Sequence, residues 1–296
     1  MHRKIHAWLA VSVLAAAVGC GGTEAPAPET EPSPTEEEHP LLSKYTSFRL
    51  TSDLSHLTEN QRQMIPLLVE ACRAMDEAFW IQAYGDGEEF LASIEDPQLR
   101  RFARINYGPW ERLENNEPLL EGYGPKPPGA NFYPEDMTKE EFEQAVKENP
   151  DLADALTSEY TMIRRGDDGK LKPMPYSEFF SEQIDEAVGL RQQAVELAED
   201  PVFERYLELR IEALQSDEYR PSDMAWMEMK DNAIDLVIGP IEHYEDQLYN
   251  YKTAFEGYVL IKDPEWSERL QRYAKLLPKL QQGLPVPAEY KPEMPG

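Results

Sequence analysis

Three side chains near the carboxyl end of the sequence are of types that binding and catalysis use. Glu242 and Tyr244 follow the apolar run 234–241 and stand two positions apart, so both can face one side of a strand end. Glu256 opens the next apolar run and can face the same cleft. A carboxylate there suits a cationic group such as a peptide amino terminus, and a phenol can donate to a developing oxyanion. The alternative is a solvated strand edge on which Glu and Tyr are structural.

Side chains that bind transition metals are few. Beyond residue 20 the sequence offers only His39, His56, His243 and Cys72 as imidazole or thiol ligands. Zinc hydrolases need a compact set of such ligands, for example two histidines at i and i+4 on one helix, and no H-E-x-x-H-like pattern occurs. The acidic turn 167–169 does not alternate oxygen ligands as a calcium loop does. The sequence therefore predicts that this chain alone binds no metal.

Motifs for nucleophilic catalysis and for phosphate binding are also missing from the sequence. There is no G-x-S-x-G, no P-loop and no G-x-G-x-x-G. Cys72 sits in an apolar helical pattern, which is typical of a buried, unreactive thiol. The residues by themselves therefore identify no reaction.

The elements ahead of the candidate residues are predicted to be mostly helical. Thr58 opens a capping box that is followed by apolar residues at helical spacing, and the same spacing recurs over 90–105. Further helices are predicted over 177–199 and 201–215. Between these helices, residues 106–136 predict a long ordered loop, Thr138 begins another helix, and 161–174 predict a short hairpin.

The pattern changes after Asp223. The β-branched apolar runs 234–241 and 255–261 predict two strands, and 266–280 predicts one more packed helix. Residues 285–296 are rich in proline, so we expect the natural sequence to continue beyond them. The predicted fold class is α+β, mostly helical, with a small sheet in the carboxy-terminal third. We divide the chain into 41–222, a helical region, and 223–296, a strand-containing region with a closing helix.

The first 40 residues predict export and a lipid anchor. Residues 2–4 are positive, residues 5–18 are largely apolar and too short to span a bilayer, and small residues precede Cys20. This order is typical of a bacterial lipoprotein signal over 1–19, with Cys20 as the lipidated residue; the alternative is an ordinary secretory signal. Residues 20–40 are acidic and proline-rich, which indicates a disordered tether. We expect the protein in the cell envelope, outside the cytoplasm, with the outer membrane favoured in a two-membrane organism.

The charge balance limits the partners. Acidic residues outnumber basic ones by 56 to 29, for a net charge of −27. Such a charge repels the phosphates of nucleic acid and of anionic lipid headgroups, so we expect neither as a ligand. The expected contact with a membrane is through the lipid anchor.

Three composite strings resemble exported bacterial members of the dipeptidyl peptidase III-type zinc metallopeptidases. They are W-M-E-M-K-D-N over 226–232, I-D-L-V-I-G-P-I-E-H-Y-E-D over 234–246, and Y-K-T-A-F-E-G-Y-V-L over 251–260. Residues 69–84, 106–110 and 160–165 fit the same family more loosely. The resemblance covers nearly the whole chain after the tether.

The resemblance implies a two-lobed zinc peptidase that removes dipeptides from peptide amino termini in a cleft between the lobes. By position, Glu242 resembles the residue that binds the substrate amino group, Tyr244 the phenol that assists at the scissile carbonyl, and Glu256 a further cleft carboxylate. The family's zinc motif, H-E-x-x-G-H, does not occur in this sequence.

This departure leaves three interpretations. The favoured one is the amino-terminal half of such an enzyme, which supplies substrate-binding residues, lacks the zinc site and is inactive alone. The second is a non-catalytic peptide-binding envelope lipoprotein, and the third is a structural envelope protein that shares only the scaffold.

Overall fold

A 25-residue helix, α1 (Glu59–Ala83), lies at the centre of the computed structural model, which describes residues 39–291. The predicted capping box is present: the hydroxyl of Thr58 accepts from the Gln61 amide at 3.2 Å, and the Gln61 side chain accepts from the Thr58 amide at 3.0 Å. One face of α1, with Met64, Leu68 and Met75, is completely covered. The predicted signal peptide, Cys20 and nearly all of the tether lie outside the described residues.

Helices make up about half of the described chain and far more of it than strands do, as the apolar spacing predicts. After α1 they are α2 (Gly87–Ser93), α3 (Pro97–Asn106), α4 (Lys139–Glu148), α5 (Pro150–Thr157), α6 (Tyr176–Phe179), α7 (Ser181–Val195), α8 (Pro201–Ser216), α9 (Arg220–Glu228), α10 (Pro264–Ala274) and α11 (Leu277–Gln282).

Strands form short antiparallel pairs. They are β1 (Trp110–Glu111) with β2 (Glu117–Pro118), β3 (Thr161–Arg165) with β4 (Leu171–Pro175), and β5 (Ile234–Glu242) with β6 (Ala254–Ile261). The second and third pairs confirm the strands predicted from the sequence. The fold is α+β and mostly helical, also as predicted.

The hairpin β5–β6 packs directly on α1, and α7 packs on α1 as well. A glycine permits the close approach of strand and helix: a Cβ at Gly257 would lie 2.7 Å from both Cβ and Sγ of Cys72. On the same face of the hairpin, Leu236, Ile238 and Phe255 enter the main apolar core. The two strands next to the candidate site residues, β5 and β6, therefore pack against α1.

The predicted helix over 90–105 is two helices. Ile94 is extended, and the side chain of Asp96 then accepts from the Gln98 and Leu99 amides at 2.7 and 3.2 Å. Pro97 begins α3, because proline is well suited to the first helical turn and poorly suited to a helix interior. The apolar spacing thus continues across a break that the cap and the proline impose.

The carboxy-terminal prediction of one packed helix was wrong. The chain there forms α10 and α11, and neither helix has a buried residue in the described structure. The large apolar side chains of these helices and of the link between them are between 49% and 66% exposed, because no other described element covers them. These residues are Trp266, Leu270, Tyr273, Leu276, Leu277 and Leu280.

Within residues 39–291, no helix is both long enough and apolar enough to cross a bilayer.

Candidate functional site

The three predicted site residues line one cavity. Glu242, Tyr244 and Glu256 bound a space of about 400 Å³ that lies between the hairpin β5–β6, the middle of α1 and the end of α3. Its other side chains that carry polar groups or rings are Cys72, Asp76, Phe79, Tyr107, Arg112, Phe255 and Tyr258.

A β-bulge places Glu242 on the cavity side of the sheet. Pro240 pairs with Phe255, whereas Glu242 pairs with Ala254, so the strand β5 carries one extra residue. Paired residues in an antiparallel sheet share a face, and Ala254 shares its face with Glu256. By simple alternation from the buried Ile238, Glu242 would face the core. The extra residue reverses this and brings the two carboxylates to the same side.

Two like charges meet at the cavity. Burial raises the pKa of Glu256, and the negative charge of Glu242 raises it further; the hydrogen bond from Tyr258 opposes the shift. The Tyr258 hydroxyl donates to Oε2 of Glu256 at 3.1 Å. A cation between Glu242 and Glu256 would relieve the repulsion that disfavours their joint ionisation.

Tyr244 stands at the rim of the cavity, where its side chain is 59% exposed. Burial raises the pKa of its phenol, and the charges of Glu256 and Glu242 add to the shift. The phenol therefore stays protonated at neutral pH and remains a hydrogen-bond donor.

The residue after Tyr244 is a buried, ion-paired carboxylate. Glu245 has a side chain only 1% exposed, and it accepts from Arg112 Nη1 at 2.7 Å and from Nη2 at 3.1 Å. Lys126 forms a second ion pair with the same carboxylate. Burial works to raise the pKa of Glu245, but the hydrogen bond with Arg112 and the charge of Lys126 outweigh it, and the pKa is lowered. The backbone next to Tyr244 is therefore held by buried ion pairs.

The connection between β5 and β6 is held by a second buried carboxylate. Asp246 accepts from the Tyr133 hydroxyl at 2.9 Å and from the backbone amides of Tyr251 and Lys252 at 2.9 and 3.1 Å. Since a carboxylate that accepts several N–H and O–H donors orders the loop that supplies them, the hairpin has a fixed turn rather than a free one.

Sequence patterns missed the opposite wall of the cavity. Tyr107 ends α3 in the left-handed region, at φ 51°, and its hydroxyl donates to Asp76 on α1. The guanidinium of Arg112 lies 5.6 Å from the ring centroid of Phe79 and 5.9 Å from that of Tyr107. These residues are far from the hairpin in sequence, so no local signal links them to it.

The donor set of residues 39–291 does not fit zinc. No three His, Cys, Asp or Glu side chains in this range come together as a metal site would require. His243 faces Glu159 at 3.8 Å near the surface, while Cys72 lies under Gly257 with a pKa raised by burial to about 11.

Solved structures similar to this chain give the fold a wider context. The chain is 40% identical to the dipeptidyl peptidase III (DPP III) of Caldithrix abyssi, with a TM-score of 0.79, and the match covers 85% of this chain and 49% of that one. It is 33% identical to the dipeptidyl-peptidase III of Corallococcus sp. strain EGB, with a TM-score of 0.74 over 83% of this chain and 47% of that one. The chain therefore has the fold of the corresponding part of dipeptidyl peptidase III and spans about half the length of these proteins.

A curated plant protein matches as well. The chain is 28% identical over 307 residues to Nudix hydrolase 3 of Arabidopsis thaliana, a match that covers 84% of this chain and 40% of that protein. That name denotes a different hydrolase and belongs to a protein of which most is not matched. No family model matches the chain.

Proposed function

We propose that the cavity beside β5–β6 binds the amino terminus of a peptide, and that this chain supplies the substrate-binding wall of a zinc-dependent dipeptidyl peptidase. The proposal rests chiefly on the two carboxylates, Glu242 and Glu256, that the bulge brings to one face. The charge of Glu242 disfavours the ionisation of Glu256, so an ammonium group between them would bind more strongly than beside a single carboxylate.

In this proposal Tyr244 acts on the reacting carbonyl and not on the ammonium. Its exposed, protonated phenol lies at the rim of the cavity that Glu242 lines, and the buried ion pairs of Glu245 hold the adjoining backbone. A donor held in this way would stabilise the negative charge that develops on a carbonyl oxygen as the peptide bond is attacked. Zinc would supply the activated water, held by residues that this sequence does not contain.

The similarity to DPP III structures supports this function, and so does the exposed apolar surface of α10 and α11. Large contiguous apolar surfaces on a soluble protein usually lie against another protein surface. We propose that the zinc-bearing half of the enzyme covers these two helices, and that the chain alone hydrolyses no peptide.

The alternative is a non-catalytic lipoprotein that binds peptides in the same cavity. It is favoured by the donor set, which offers no metal site within residues 39–291. The two functions differ in what a complementing half would restore: hydrolysis in the first, and nothing in the second.

We further propose that the mature protein is anchored in the cell envelope through a lipid on Cys20. The ordered succession of positive residues, apolar run and cysteine in the sequence supports this. Mass spectrometry of the amino-terminal peptide from cell membranes would give a diacylglyceryl cysteine. A chain that begins elsewhere and carries a free Cys20 thiol would contradict the anchor.

Calorimetry with a peptide amide tests the binding. We expect Ala-Ala-amide to bind at a 1:1 ratio, and its N-acetyl form, which lacks the ammonium, to bind at least 10-fold more weakly. Loss of a charge-assisted hydrogen bond costs about 1.5–3 kcal/mol, so Glu242→Gln should weaken binding by about 10- to 100-fold. The control is Glu95→Gln, at an exposed position away from the cavity. Equal binding of the two peptides would refute the ammonium site.

Complementation tests the catalysis. The chain is mixed with, or fused to, the part of the Caldithrix abyssi protein that it does not match, and a dipeptidyl-naphthylamide is the substrate. Zinc-dependent turnover is expected, and Tyr244→Phe should lower kcat by about 10²- to 10³-fold with little change in KM, because its bond forms mainly in the transition state. Peptide binding without turnover, in a complex shown to form, favours the alternative.

A further inference from the structure

A second, larger cavity lies at the carboxy-terminal end of α1. Its volume is about 710 Å³, within the range of small-molecule sites, and it shares no lining residue with the first cavity. Tyr84 lines it, eight residues from Asp76 of the first cavity, which corresponds to about 12 Å along a helix. The other walls come from α2 and from the loop between α3 and α4.

One wall of this cavity is aromatic. The ring of Tyr84 lies 4.5 Å from that of Phe90 and 5.8 Å from that of Trp110, and Phe90 lies 6.0 Å from Tyr123. The indole of Trp110 donates to the backbone carbonyl of Gly124 at 2.9 Å, which fixes the ring against the loop. The four rings are therefore held by one another before any ligand arrives.

The charges around the cavity all have one sign. Asp86, Glu89 and Glu135 line it, and no Lys, Arg or His is among its lining residues. The ion pairs that neutralise carboxylates elsewhere, as at Glu245, have no counterpart in this lining. These carboxylates, together with the partly exposed rings of Tyr84 and Tyr123, favour a cationic ligand.

Three glycines of the lining border open space. A Cβ at Gly85, Gly122 or Gly124 would meet no atom within 4 Å. Gly85 and Gly122 have positive φ, of 143° and 91°. Ala130, a buried non-glycine residue of the same lining, is held at φ 44°, a strained conformation of a kind that concentrates at ligand sites.

We propose that this cavity is a binding site for an organic cation, an ammonium or guanidinium group carried on a short aliphatic chain. The charged group lies against the rings of Tyr84 and Tyr123 and the carboxylates, and the aliphatic chain lies along Pro125 and Pro127 of the lining. The site is distinct from the peptide cavity and does not depend on the function proposed for it.

Calorimetry with butylguanidinium and with butylurea, its neutral analogue of nearly the same shape, measures the contribution of the charge. We expect butylguanidinium to bind the full chain saturably and at least 10-fold more tightly than butylurea, with affinity falling as salt is raised. Equal affinity for the two compounds, or no saturable binding of either, would overturn the proposal.

Variants locate the binding. Gly124→Leu fills the empty space at a position without backbone strain and should reduce the affinity for butylguanidinium at least 10-fold, and Glu135→Gln should reduce it about 3- to 10-fold. Gly189→Leu is the matched control, since its Cβ also meets nothing within 4 Å but lies on α7, away from the cavity. Binding that survives in a folded Gly124→Leu chain, or that disappears in Glu242→Gln, would place the cation elsewhere and refute this site.

Discussion

The packing of Gly257 on Cys72 couples the candidate site to the core. Adding one methyl group at Gly257 tests this coupling. In Gly257→Ala the new Cβ would lie 2.7 Å from Cβ and Sγ of Cys72 and 3.0 Å from its Cα, well inside normal contact distance. The strand β6 and the helix α1 must then separate. Overpacking of this kind costs about 1–3 kcal/mol, and about 2 kcal/mol corresponds to a Tm lower by about 4–8 °C in a chain of this size.

The double variant, Gly257→Ala with Cys72→Gly, isolates the contact. Cys72→Gly removes the two nearest atoms, Cβ and Sγ, so Gly257→Ala should cost at least about 1 kcal/mol less in that background than in the wild type. Thermal and urea unfolding of the four chains give the coupling free energy. The control, Gly189→Ala, meets no atom within 4 Å and should stabilise α7 slightly, because alanine is the better helix former.

Gly257→Ala should also alter the candidate site. Glu256 and Tyr258 flank Gly257, so a displaced strand moves the carboxylate and the phenol that donates to it. We expect the affinity for Ala-Ala-amide to fall in Gly257→Ala and to recover in part in the double variant. Unaltered melting in Gly257→Ala, or strictly additive effects in the double variant, would refute the argument that this contact fixes the strand.

Three further predictions concern buried groups. Burial lowers the pKa of Lys252 to about 7 against the opposing charge of Asp246, so between pH 7 and about 10 the unfolded chain binds more protons at this group. The contribution of Lys252 to the free energy of unfolding should therefore rise with pH, by at most about 1.4 kcal/mol per unit. Lys252→Met should remove this contribution, so that urea titrations give a less positive slope over about pH 7–9 in the variant than in the wild type. Burial raises the pKa of Cys72 to about 11, so little thiolate is present at pH 8 in the folded chain. In a Cys20→Ser chain, which leaves Cys72 as the one cysteine, iodoacetamide at pH 8 should modify Cys72 at least about 100-fold more slowly in the folded than in the unfolded state. Mass spectrometry follows the modification. Glu245→Gln leaves two cations facing a neutral amide and should cost about 2–4 kcal/mol in denaturant unfolding, whereas Glu114→Gln, at an exposed ion pair, should cost under about 0.5 kcal/mol.

Local patterns were sufficient to predict the elements. The capping box at Thr58, the apolar spacing of α1 and the β-branched runs of β5 and β6 act over a few residues, and the structure has each of them where the sequence indicates. Local patterns failed at 90–105, where the cap at Asp96 interrupts a continuous spacing, and over α10 and α11, where apolar periodicity predicts burial but does not supply a partner to pack against.

The chemical types at the site were readable from the sequence, and their arrangement was not. Glu242, Tyr244 and Glu256 stand out because carboxylates and a phenol follow apolar strands. The face on which Glu242 lies, however, depends on the extra residue in β5, and a bulge is fixed by the pairing of two strands and not by either strand alone.

The rest of the cavity was decided by tertiary packing alone. Asp76, Tyr107 and Arg112 come from α1, the end of α3 and the segment after it, and they line one cavity with Tyr258 because β6 packs on α1, where Gly257 permits the close approach. Sequence determines which residues are available and the local elements that carry them. Side chains more than a hundred positions apart meet only through the close packing of those elements, which no short-range pattern records.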